Sequence, residues 1–297
     1  MWWKAILGGA VVLFVIREIF KDLFHPVRSG ALSDWIGQRL FRALRYWPAL
    51  LTSAGPMAVV LVIVIWAMLL VTGFAFIYWA VFPAAFQLRT VNQPTPADGF
   101  WWCFYYSLEM LTTLGLGDIQ PNPNWLRILS ACHTLLGFSL VTASLTWVLL
   151  LFPALRRTRT LARKVTTLQE AEQDTGTAVI NLDMHLVLLD LAEEVITAGV
   201  DLVHFPILFY FYAEDLKFSL AHALLVIQRF ATDGIQPERQ QRIRLSAAAL
   251  HRALGDLTVI LAGRLDVRNE MPTQVLSSFI QLHTPVDRKG PRPHVPS

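Results

Sequence analysis

Residues 56–82, PMAVVLVIVIWAMLLVTGFAFIYWAVF, run for 27 positions without a charged side chain. Roughly 20 apolar residues suffice for a helix to cross a bilayer, so this stretch commits the chain to a membrane. A second apolar run over 125–152 is interrupted only by Arg127 near its start and by His133. Trp125 and Trp147 lie near its two ends, where indole rings favour the interface. The composition agrees: 54% hydrophobic against 16% charged residues, with a mean hydropathy of +0.46, is too apolar for an ordinary soluble domain.

The N-terminal run AILGGAVVLFVI (5–16) is shorter and meets Arg17 and Glu18 directly. A cleaved signal would need small residues after its apolar core, whereas REIFKDLF continues a helical pattern. Residues 1–24 are therefore expected to form a first span, with Arg17 snorkelling to the interface. Lys21, Arg28, Arg39, Arg42 and Arg45 lie between this span and the next, and Arg156, Arg157, Arg159, Arg163 and Lys164 follow the last. Only Arg89 marks the loop between the two long spans. The positive-inside rule then places both basic segments in the cytoplasm and the N-terminus outside. The pI near 9.0 reports this topology and implies no nucleic-acid partner. Cys103 and Cys132 sit in apolar surroundings without zinc-ligand spacing, and no redox role is assigned to them.

Between the long spans lies more than a loop. FWWCFYYSLEML (100–111) can make about three helical turns but is too short to cross. The strip TTLGLGD (112–118) follows at once, alternating leucine with glycine. Glycine admits positive φ, so such a strip is built for what its carbonyls do. A short helix entering and a strand returning make a re-entrant loop, tolerated at membrane depth only where protein buries it or water lines it.

The segment FYYSLEMLTTLGLGDIQP (104–121) resembles the pore helix and selectivity filter of potassium channels. The resemblance implies that backbone carbonyls replace the hydration shell of a permeating potassium ion. The ion-binding positions would be Thr113, Leu114, Gly115, Leu116 and Gly117, with K+ held at Thr113 to Leu116 and no other cofactor. Leu114 and Leu116 would turn away from the axis. Leu116 departs from the tyrosine most frequent at its position, which puts the strictness of potassium over sodium selectivity in question. Tyr105, Tyr106, Glu109, Thr112 and Asp118 would support the filter. Two carboxyls behind one strip do not both ionise cheaply, so Glu109 is expected to stay protonated and hydrogen-bond toward Asp118.

The resemblance continues through Trp125 and Arg127 to Gly137, which matches a glycine treated in this family as a gating hinge. Close helix packing is the alternative role for such a small residue. Phe138, Val141, Leu145 and Leu149 follow at helical spacing and would line the cavity. His133 is expected to make a neutral hydrogen bond to the pore helix. One chain carries one filter strip, so the functional unit implied is a homotetramer with cyclic symmetry.

Arg39, Arg42 and Arg45 recur every third residue, but in a short segment between SGALSD and Trp47-Pro48. They read as a cationic helix on the cytoplasmic lipid surface rather than as a voltage sensor. After Pro153 the chain turns amphipathic, with further helices expected over about 177–200, 203–233 and 238–265. No dinucleotide fingerprint follows a strand, and a ligand for this region is not named by its residues. HFPILFYFY (204–212) reads as a buried core helix. His185, His204, His222 and His251 show no ligand spacing.

The fold class expected is thus an all-α membrane protein containing a potassium-channel pore module. Its parts are an N-terminal transmembrane helix (1–24), a basic amphipathic linker (25–54), a pore domain (55–152), a cytoplasmic helical domain (153–283) and a disordered tail (284–297). Within the pore domain the outer helix spans 55–82, the pore helix 100–112, the filter 113–118 and the inner helix 125–152. This arrangement looks like the small three-span bacterial members of the potassium-channel superfamily, in the inner membrane. No nucleophile, base and orienter occur together, so no enzyme is expected. A weakly selective cation channel, or a non-conducting module that uses the pore fold to tetramerise, stand as alternatives.

Overall fold

The computed structural model describes residues 2–24, 31–44, 53–88, 99–178, 180, 185–265 and 272–283. The tail expected over 284–297, and Arg28, Arg45 and Arg89 of the charge pattern, lie outside the described residues. The chain divides into two compact units, Met1–Ser33 with Val59–Leu149, and Asp34–Ala58 with Leu150–Ser297.

In the first unit, α1 (Trp2–Phe24) runs antiparallel to α3 (Ala54–Trp79). Their crossing is set by glycine. A Cβ on Gly8 would sit 2.3 Å from the Gly73 carbonyl oxygen, and one on Gly73 would sit 2.8 Å from a Val12 methyl. Small residues let helix backbones approach this closely in membranes. Nearer the start of α1, the Lys4 ammonium lies 3.2 Å from the Trp79 ring centroid. Among the described residues three helices are long and apolar enough to cross a membrane: Ala54–Trp79, Asn124–Thr175 and Gln241–Leu265. By composition α1 is not among them, because Arg17, Glu18, Lys21 and Asp22 crowd its second half.

The short helix α4 (Gly99–Leu111) follows α3 in this unit. A two-stranded antiparallel ribbon of β1 (Phe86–Leu88) and β2 (Ile119–Pro121) ties the chain after α3 to the chain after the glycine strip. The helix α5 begins at Asn124 and continues to Thr175, 52 residues or about 78 Å. That is more than twice a bilayer's hydrocarbon thickness. The change of character at Pro153 marks no break in the helix. Leu151, Ala154, Leu161, Ala162 and Val165 continue the three-and-four spacing and are all buried, and this packing outweighs the hydrogen bond that proline removes.

In the second unit α6 (His185–His204), α7 (Leu220–Gly234), α8 (Gln241–Leu265) and α9 (Pro272–His283) pack around α8. Ile243, Ala247, Leu250, Leu254, Leu257 and Leu261 bury one face of α8, which accounts for its apolar composition as that of a core helix. The helix expected over 203–233 is interrupted. Pro206 cannot continue α6, and 3-10 turns at Pro206–Tyr210 and Leu216–Phe218 carry the chain until Ser219 caps α7 by accepting from the His222 amide. The aromatic segment is buried as expected, but as a turn rather than a core helix.

The basic segment near residue 40 also differs from expectation. It forms α2 (Ala31–Leu44), whose apolar face is covered by protein rather than left for lipid. Ile36 and Phe41 are buried, Phe41 lies 5.9 Å from Tyr210 ring to ring, and Asp34 pairs with Arg264 at 2.6 Å. A Cβ on Gly37 would fall 2.3 Å from the Tyr210 ring, so the fit there depends on glycine.

Candidate functional site

The helix α4 ends with its own cap. Thr112 Oγ1 donates to the Leu108 carbonyl at 2.8 Å, and the amides of Thr113 and Leu114 donate back to Met110 and Glu109 at 3.2 and 3.0 Å. From there the chain runs as a strip in which every second residue has positive φ: Thr113 at 61°, Gly115 at 60° and Gly117 at 77°. Glycine takes this region freely, but a β-branched threonine does not, and holding it there costs about 1–3 kcal/mol. Along a regular strand successive peptides face opposite ways. Alternating the sign of φ turns successive carbonyls toward one side. Among the described residues the carbonyl oxygens of Thr113, Leu114, Gly115 and Leu116 accept no hydrogen bond, while Gly117's accepts from Gln120 Nε2 at 3.2 Å. Thr112 to Leu116 are exposed in the single chain.

Behind the strip Glu109 is buried at 2% exposure, and its Oε1 accepts from the Gly117 amide at 3.1 Å. This corrects the expected Glu109–Asp118 bond. Asp118 instead accepts from the Tyr105 hydroxyl at 3.1 Å and from the Ile119 amide at 3.0 Å. The two carboxylates thus hold the strip separately, one by its backbone and one at its end.

Two helices, α3 and α5, frame α4 through polar contacts that no linear pattern announced. Tyr106 donates to Ser130 Oγ at 2.8 Å, which in turn donates to the Leu126 carbonyl. Ser107 donates to the Val71 carbonyl at 2.8 Å. His133 meets Tyr78 of α3 at 3.2 Å and stacks on Phe74 at 3.7 Å, so its partner is the outer helix and not the pore helix expected. Ser107, Ser130 and Tyr78 carried no sequence signal, since their roles exist only once α3, α4 and α5 are side by side.

Gly137 is buried against the end of α4, where a Cβ would lie 2.1 Å from the Leu111 carbonyl oxygen. Beyond it Phe138, Val141, Leu145 and Leu149 form one exposed apolar face, each 59–66% accessible in the single chain. On neighbouring positions Ser139, Thr142 and Thr146 return their hydroxyls to carbonyls four residues back, which satisfies them without outside partners. Further along α5, in the second unit, Arg157 grips buried Asp201 through two bonds of 2.8 and 2.6 Å. That hydrogen bonding holds the guanidinium above its ordinary pKa.

An outer helix, a short helix ending in a strained carbonyl strip, and a second long helix define a pore-loop membrane protein. Residues 59–152 match the family described as ion channel, and over this stretch the chain has the helix, strip and helix order of a pore-loop module. The chain is also similar to the uncharacterized membrane protein YdjJ of Bacillus subtilis (strain 168), at 23% identity over 237 residues, covering 76% of this chain and 67% of the relative. No solved structure matches it.

Proposed function

We propose that four copies of this chain form a potassium-selective channel in which K+ passes the carbonyls of Thr113, Leu114, Gly115 and Leu116. The observation that carries this reading is the run of unpaired carbonyls beside alternating positive φ at Thr113, Gly115 and Gly117. Unpaired carbonyls at membrane depth are expensive unless an ion or water meets them. A dehydrated cation supplies that partner, and the ring of carbonyls supplies its lost hydration shell. On this reading the Thr113 strain is retained because it aims an oxygen. Phe138, Val141, Leu145 and Leu149 line the cavity, and α4 with Glu109 and Asp118 holds the strip in shape. The pore sits in a bacterial inner membrane with the C-terminal unit cytoplasmic, and the apolar first half of α1 carries the N-terminus to the outside while Arg17 and Lys21 snorkel to the cytoplasmic interface. It works without a voltage sensor, since α2 packs into that helical unit instead of forming a span.

The test is the reversal potential of purified protein in planar bilayers with potassium on one side and sodium on the other. A reversal near the potassium equilibrium potential, lost in Gly117→Ala, is expected. A reversal near zero sinks potassium selectivity and favours a weakly selective cation pore, the reading that Leu116 keeps open. Silence of both proteins across pH and ligand conditions sinks conduction altogether and favours a tetramerising module.

A further inference from the structure

Two files of side chains in the C-terminal unit are left uncovered. How α6 and α8 lie together is fixed near both ends. A Cβ on Gly199 would touch Ile260 and Leu257 at 3.4 and 3.7 Å, and one on Gly234 would fall against both Ala247, early in α8, and Ile180, just before α6. The two helices therefore run side by side in the same direction, with residues 58 to 61 positions apart standing level. On α6, Leu186, Glu193 and Val200 recur every seventh residue; on α8, Leu245, Arg252 and Val259 do the same, each 59 positions after its counterpart. Seven residues make two turns, so each trio forms a file along its helix. All six are exposed, Leu186 and Val200 by 68 and 48% and Leu245 and Val259 by 72 and 73%. Between the files, beside Gly199, lies an apolar groove of about 280 Å³ lined by Ile196, Val200, Ala253 and Ile260.

The Glu193 and Arg252 side chains make no ion pair or hydrogen bond among the described residues. Each is the middle member of its file, with an aliphatic residue two turns away on either side. Hydrocarbon laid on this face would strand both charges. A surface with apolar ends and the opposite charge at the same height satisfies them, and this chain carries that surface itself. We propose that the α6–α8 face docks on the same face of a second copy, each α6 lying parallel to the other copy's α8. A two-fold axis along the helices then stacks Leu186 on Leu245, Glu193 on Arg252 and Val200 on Val259, each twice, as an isologous contact requires. Apolar layers fixed by a layer of opposite charges set the register and partner of parallel helices. A slip of one heptad would put Glu193 or Arg252 against an aliphatic side chain and leave its charge unpaired, so the face selects one register. The pairing goes beyond the channel reading and needs only the C-terminal unit.

The experiment is disulfide trapping between two co-expressed full-length chains, one carrying V200C and the other V259C, both with C132S because Cys132 is exposed. Each chain offers one thiol on the face, so a bond across it joins two copies and reads as a dimer on a non-reducing gel. The mixture is expected to give a dimer band well above either chain alone, and so is L186C with L245C. T232C with V259C should stay at background, since Thr232 is exposed on α7 and outside both files. E193R in the V200C chain sets arginine against Arg252 and should cut the trapped dimer by about threefold or more, the scale of an exposed ion pair turned to repulsion. R252E in the V259C chain should restore it, which a folding defect in the first variant would not allow. No dimer from either mixture, equal trapping with T232C, or a charge swap that fails to restore the dimer overturns the proposal. Because trapping reads no ion flux, a non-conducting protein that traps sinks the channel reading and spares the pairing, while a selective channel that never traps does the reverse.

Discussion

Replacing Gly137 with alanine adds one methyl group where, of the described glycines, a Cβ would come nearest another atom. The added carbon would stand 2.1 Å from the Leu111 carbonyl oxygen, 2.9 Å from its carbon and 3.0 Å from its Cα, where ordinary contact begins at 3.4 Å. All three obstructing atoms are main chain, so no rotamer change relieves them. The end of α4 has to move, two residues before strained Thr113. Overpacking of this kind costs about 1–3 kcal/mol, with backbone obstruction at the upper end. Alanine returns about 1 kcal/mol through its better helix propensity. The net expectation is a loss of about 1–2 kcal/mol. A glycine retained only for helix flexibility predicts the opposite sign, a gain of about 1 kcal/mol. Gly255 on α8 provides the internal control, since a Cβ there meets nothing within 4 Å and Gly255→Ala should stabilise. The assay is thermal unfolding of the detergent-solubilised full chain, wild type against each variant. A Gly137→Ala protein as stable as wild type, or more so, refutes the packing argument and returns Gly137 to a hinge.

Glu109→Ala should unpair the Gly117 amide, at about 1–3 kcal/mol for a buried donor left unmet, whereas Glu109→Gln keeps an oxygen in the same place. On the proposed reading alanine therefore shifts the potassium–sodium reversal potential and glutamine does not. A glutamine variant as impaired as alanine would show that charge, not the bond, is what the strip needs. Tyr210 gives a pH prediction in the second unit. Burial first, and then the nearby charge of Asp34, push its pKa from 10.0 up to about 12, so the folded ring stays neutral while the unfolded one ionises. The stability this contributes is full below pH 10 and is lost as the pH rises toward 12, about 3 kcal/mol in all. Denaturant midpoints of wild type and Tyr210→Phe between pH 9 and 12 check it, and equal alkaline slopes for the two would contradict it.

What could be read from the sequence was what local pattern determines. An uncharged run over 56–82 gave α3, and the switch from an aromatic amphipathic stretch to alternating glycines gave the end of α4 within a residue. What could not be read depends on partners distant in the chain. Three-residue strands carry no usable alternation, and β2 includes Pro121, so the ribbon joining residues 86–88 to 119–121 left no trace. Pro153 is a sound helix-stop signal by itself, and only the burial of Ala154, Leu161 and Val165 tells why the helix passes it. The arginines of α2 look like a lipid-surface pattern until Tyr210, Arg264 and His283 are brought against Asp34 and Phe41. His133 was ambiguous for the same reason, since a histidine in an apolar run names no partner, and Phe74 and Tyr78 lie more than fifty positions away.

The proposed assembly follows from the strip's own incompleteness. One chain presents a single file of carbonyls, and an ion stripped of water needs oxygens on every side of it. The sequence holds one such strip, so on the proposed reading the remaining oxygens come from other copies, and a closed cyclic arrangement gives each strip the same surroundings. The same arrangement accounts for the wide apolar face of Phe138, Val141, Leu145 and Leu149, which leaves more than half of each side chain uncovered in a single chain. That face follows Gly137 directly, and Gly137 touches Leu111 at the foot of the strip. A change in the angle of α5 at that point would reach the carbonyl strip through backbone contact alone. On this reading the filter and the cavity wall respond to one helix together, and a variant that loosens the Gly137–Leu111 contact should alter selectivity and gating in the same protein.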